Sequence, residues 1–115
     1  MGLDMTMYLE CETGNKENPT EKIYIFSKGI THNLARMATE ANLYVPIWLA
    51  DGHKAKDVLP ELESGYVSLC SEKKQLKKQF TPKNGFGSWE VLEEFVREMI
   101  ETCKKYPNAV IEVDK

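Results

Sequence analysis

The chain has little of what recognisable active sites are built from. Its 115 residues include two histidines and three cysteines, and no pair of these has zinc-ligand spacing, so no metal site is expected. Cys11, Cys70 and Cys103 are odd in number, widely separated and set in segments that read as regular structure. They are expected to be reduced core thiols and not disulfides. No apolar run approaches the roughly 20 residues of a membrane-spanning helix, and Met1 to Glu12 lacks the basic start and apolar middle of a signal peptide. The expectation is a cytoplasmic chain with no membrane partner. Positive charge is not in surplus either. A net charge of -3 and a pI near 5.4 repel a polyanion on average, which argues against sequence-blind nucleic-acid binding. A Gly-x-Ser-x-Gly elbow, a His-Glu-x-x-His helix, a paired acidic metal motif and a Walker loop are all missing. No catalytic residue and no cofactor is therefore assigned.

What is present is ordinary globular material, 42% hydrophobic and 29% charged, and its length suits one domain over residues 1–115 with one core. Met5, Met7, Leu9 and Cys11 alternate with Thr6, Tyr8, Glu10 and Glu12, which predicts a strand with one face buried. A turn rich in Gly14, Asn15, Asn18 and Pro19 leads to Lys22–Ser27, the second strand of a hairpin. Leu34, Met37, Ala38 and Ala41 predict a short helix between Thr31 and Asn42, whereas Leu43–Ala50, interrupted by Pro46, reads as a segment lying across the core. Asp57 is the expected cap of a helix with Pro60 in its first turn and Val58, Leu59, Leu62, Tyr66 and Leu69 on its apolar stripe, weakened by Gly65. Ser71 is the expected cap of a further helix to Gln79. After the loop at 81–87, Ser88 caps the best-defined helix, to Lys105, on the stripe Trp89, Leu92, Val96, Met99, Ile100 and Cys103. Ala109–Val113 is a last strand. The predicted fold is α+β: a small antiparallel sheet, the N-terminal hairpin plus the C-terminal strand, packed on one face by three to four helices.

Ile30-Thr31-His32-Asn33-Leu34 is the segment richest in chemistry. There a strand runs into a helix whose first free amides can receive an anion, with His32 and Asn33 as further donors and Arg36 one turn on. The plainer reading makes Thr31 or Asn33 a cap and His32 a solvent-facing residue. Tyr44 and Trp48 offer flat surfaces to a planar ligand or fill the core; Trp89, on a buried stripe, reads as core. Asn84 and Gly85 precede a helix, where backbone amides cradle phosphate or simply turn the chain. Lys73, Lys74, Lys77, Lys78 and Lys83 make a basic cluster that reads as a solvated face or a site for an acidic partner. The expected ligand-binding set is thus Thr31, His32, Asn33, Arg36, Tyr44, Trp48, Asn84 and Gly85.

The strings MGLDM, ITHNLARMATEANLYVPIW and NGFGSWEVLEEFVREMIETCKKYPNAVIEV resemble a family of small uncharacterised proteins of bacteria and their phages. The resemblance spans most of the chain, departs from the family at Thr6 and Met7 just before Tyr8, implies a phage or prophage setting and brings no catalytic residues. The leading expectation is a non-enzymatic binding module for a small anionic, nucleotide-like ligand or a host protein. Two alternatives accompany it: a small hydrolase or transferase using His32 as acid or base, and an oligomeric interaction protein whose uncovered sheet face presents Tyr8, Tyr24 and Phe26.

Overall fold

Leu3, Met5 and Met7 are completely buried while Asp4 and Gly2 face water, the alternation that a strand with one covered face requires. In the computed structural model, which describes residues 2–115 and so leaves out Met1 of the MGLDM string, this strand is β1 (Gly2–Glu12). It lies between β2 (Thr20–Thr31) and β3 (Val110–Asp114), antiparallel to both. The helices follow in the order α1 (Ala35–Glu40), α2 (Tyr44–Trp48), α3 (Ala55–Ser71), α4 (Lys73–Phe80) and α5 (Trp89–Lys105), with a 3-10 turn at His32–Leu34 before the first. The α+β fold with its three-stranded antiparallel sheet is as predicted. Among the described residues the helices number five, because Leu43–Ala50, lying across the core, includes one of them: Pro46 is third in α2, where its missing amide proton has no intrahelical partner to lose. Among the described residues no helix is long and apolar enough to cross a membrane.

Register between β1 and β2 shifts where Met7 pairs with Phe26 but Tyr8 pairs with Tyr24, so Ile25 is an extra residue bulged out of β2. The bulge reverses the alternation. Tyr24 lies with Tyr8 on the outer face, ring centroids 5.8 Å apart, whereas Phe26 turns inward, edge-on to Phe95 of α5 at 6.2 Å. Tyr8, Tyr24 and Phe26 therefore do not share the uncovered face as expected.

Two helix starts differ from the sequence reading. Helix α3 begins at Ala55, not at Asp57, because its first amides find distant acceptors: Ala55 donates to the carbonyl of Ala109 at 2.8 Å and Lys56 to that of Pro107 at 2.9 Å. Pro60 thus falls beyond the first turn, inside the helix. Ser71 does not cap α4; it ends α3, and its hydroxyl turns back to the carbonyl of Ser68. Gly65 is buried because Leu43 lies against it, and an added Cβ would meet Leu43 Cδ2 and Cγ. The α5 reading holds, with the Ser88 hydroxyl accepting the Val91 amide at 3.3 Å. Of the thiols only Cys103 is in the core; Cys11 and Cys70 are exposed, since β1 outruns the helices and Cys70 lies on the open side of α3.

Candidate functional site

Strand β2 ends at Thr31 in extended conformation, and its hydroxyl accepts the Asn33 amide at 3.2 Å. One of the main-chain donors expected to be open is therefore occupied by the cap. The short 3-10 turn and α1 leave Asn33 and Arg36 exposed, three residues apart and so on one side. Facing them, α4 ends at Phe80 and the chain turns through Thr81, Pro82 and Lys83. Asn33, Arg36, Gln79, Phe80, Thr81, Pro82 and Lys83 together line a depression of about 350 Å³. The Arg36 guanidinium lies 6.0 Å from the centre of the Phe80 ring, close enough for the ring face to orient the cation.

The charge in this cleft is of one sign. No aspartate or glutamate lines it, and the ion pairs of the described residues engage Lys22, Lys28, Lys77, Arg97 and Lys104 but neither Arg36 nor Lys83. Asn33 Nδ2 donates to the carbonyl of Phe86 at 3.3 Å, which ties the 3-10 turn to the 81–87 loop and leaves the amide's oxygen and second N–H available. Asn84 Oδ1 accepts the Phe86 amide at 3.0 Å, and Gly85 takes a positive φ of 79°. These two shape the turn carrying Phe86 and do not line the cleft.

His32, Tyr44 and Trp48 form a separate cluster. Trp48 Nε1–H donates to His32 Nδ1 at 3.0 Å, so that nitrogen is the unprotonated one, and Tyr44 stacks on Trp48 with ring centres 5.6 Å apart. Trp48 is buried; its ring is a packing element covered by its neighbours and not an open platform. With Nδ1 engaged, only Nε2 of His32 is left for proton transfer. Among the described residues no carboxylate or thiol hydrogen-bonds either histidine, and no three of His, Cys, Asp and Glu are placed to hold a metal. Trp89 is structural, donating from Nε1 to the carbonyl of Leu69 at 3.0 Å.

The basic cluster divides as well. Lys77 pairs with Glu90 at 2.7 Å and holds that carboxyl below its ordinary range, while Lys73 lies 4.5 Å from the centre of the Trp89 ring. Of the five lysines, Lys83 is the one that lines the cleft. The sequence reading thus placed Asn33 and Arg36 in a cleft that it did not complete. Gln79 and Phe80 at the end of α4, with Thr81 and Lys83 just beyond it, complete the cleft from far along the chain, and no spacing motif links the two segments.

No family model, no curated protein and no solved structure matches this chain.

Proposed function

We propose that the chain is a binding module that holds a small anionic ligand, nucleotide-like in size, in the cleft between α1 and the 79–83 segment. The observation behind this reading is that Arg36 and Lys83 share one depression with no carboxylate in it. Two cations placed together without a counter-charge repel each other, and a phosphate or carboxylate group relieves that repulsion. Arg36 supplies a planar fork of donors, Lys83 a point charge, and Asn33 and Gln79 neutral amide donors beside them. The phage or prophage setting implied by the sequence resemblance fits a small chain of this kind.

Thermal shift and calorimetric titration with inorganic phosphate, ADP and ATP test the proposal. A ligand at a hundred times its Kd stabilises the fold by about 2.7 kcal/mol, a melting rise of several degrees. Arg36→Ala with Lys83→Ala should weaken binding about a hundredfold, on the scale of two charge-assisted hydrogen bonds. Both side chains are exposed, so the fold should be unchanged. No stabilisation by any of the three anions, or stabilisation that survives the double substitution, removes the reading.

A further inference from the structure

Strand β2 is an outer strand of the sheet. It pairs with β1 on one side, and among the described residues no strand covers the other side, so alternate main-chain groups along its free edge have no strand partner. Natural sheets usually blunt such an edge. Here the bulge at Ile25 does so for the outer half, but from Phe26 to Thr31 the pairing with β1 is regular.

Two depressions lie along that regular stretch, and both are walled by α5 or the turn that feeds it. One, of about 560 Å³, is lined by Gly29, Ile30, Thr31, Phe86, Gly87 and Val91 besides Asn33. Phe86 is 69% exposed and Val91 42%, so large apolar side chains face this hollow without cover. The other, of about 340 Å³, is lined by Ile25 to Lys28 with Glu98, Glu101 and Thr102. Between them the Lys28 ammonium reaches Glu94 at 3.3 Å and bonds Glu98. Glu94 and Glu98 thus share a single lysine, and Glu101, a turn further along α5, leaves the second hollow negative overall.

We infer that the β2 edge and α5 form a docking groove for an extended peptide of a partner protein, bearing an apolar side chain and, four residues away, a lysine or arginine. Residues 26, 28 and 30 point toward α5, as the Phe26–Phe95 and Lys28–Glu98 contacts require. A strand laid against them spans the distance between the hollows in about four residues at roughly 3.3 Å each, and period two sends its first and fifth side chains to the same face. Main-chain pairing supplies affinity and the two hollows supply selectivity, as in other cases of strand addition. Charge decides against a second copy of this chain as the occupant. A copy docked by its own β2 would bring Glu94, Glu98 and Glu101 to the same edge, acid against acid, in a chain already at -3.

Fluorescence anisotropy with two labelled nine-residue peptides tests this. One carries leucine third and lysine seventh with threonine elsewhere, and the other is its reversal, to cover both strand directions. One of the two should bind, and replacing its lysine by glutamate should weaken it about tenfold. Phe86→Ser should weaken it about tenfold and Glu101→Gln about threefold, the latter with loss of salt dependence. Both positions are exposed, so neither change should disturb the fold. On binding, amides between Phe26 and Thr31 should gain protection from hydrogen exchange, and Arg36→Ala with Lys83→Ala should change nothing, which separates this groove from the anion cleft. No binding by either peptide at 1 mM overturns the inference. So does binding indifferent to Glu101→Gln and Phe86→Ser, or light scattering that shows a dimer whose formation the peptides cannot compete with.

Discussion

The same two strands live in two environments. Under α5 the inner face of β1 is sealed, with Leu3, Met5 and Met7 wholly buried. Two residues further along that face Leu9 is only partly covered, Cys11 is exposed, and Ile23, opposite Leu9, is 48% exposed. The hairpin runs past the end of the helical layer as an arm, which is why the molecule measures 55 × 27 × 17 Å. Alternation in the sequence continues through both halves. It reports which way a side chain points, not whether anything lies there to meet it.

The largest test of this contrast compares Phe95→Ala with Ile23→Ala in urea unfolding. Phe95 is fully buried against Phe26, and its truncation should cost about 3–5 kcal/mol; Ile23→Ala on the arm should cost less than about 0.5 kcal/mol. Similar losses at the two sites would mean that the arm is packed in solution. Gly65→Ala comes next. Helix propensity alone favours alanine by up to about 1 kcal/mol, yet the new methyl would sit 2.8 Å from Leu43 Cγ and 3.1 Å from the carbonyl oxygen of Ala41. Because Leu43 is buried and cannot swing away, a net loss of about 1–3 kcal/mol is expected; a gain would place α2 further from α3 than described. The smallest effect separates the thiols. Cys11 and Cys70 should react at once with a thiol reagent and Cys103 only on unfolding. Burial pushes the Cys103 thiol up from 9.0 to about 12. The unfolded chain's thiol therefore ionises first, and stability should fall as pH rises from about 9 towards 12. Lys28, raised chiefly by its bond to Glu98, and Tyr66, raised chiefly by its bond to Glu93, act in the same direction at alkaline pH. Melting temperatures flat across that range would contradict the burial of Cys103.

Local signals were readable and distant ones were not. The Met5–Met7 alternation and the α5 stripe with its Ser88 cap depend on residues within a few positions of each other, and both stand as read. The bulge at Ile25 was not readable, since an extra residue exists only relative to the strand it fails to match. Without it, a period of two places Phe26 on the outer face with Tyr24 and Tyr8. Local pattern favours Asp57 as the cap of α3, whereas the carbonyls that receive the α3 amides belong to Pro107 and Ala109, beyond any local pattern. The candidate cleft divides in the same way: Asn33 and Arg36 came from a local strand-to-helix junction, whereas Lys83 joins them only through the docking of α4 beside α1.

The attachment of α3 to the segment around Pro107 and Ala109 has a bearing on how the molecule is made. During synthesis the chain emerges from its amino end, so the long central helix is made well before the carbonyls of Pro107 and Ala109 that match its starting amides. Gly52 and His53 are held in the same way by Ile111, and the Val113 amide closes on Asp51. The native arrangement thus has a clasp that the 107–113 segment shuts, and a fragment lacking that segment carries α3 with an open end.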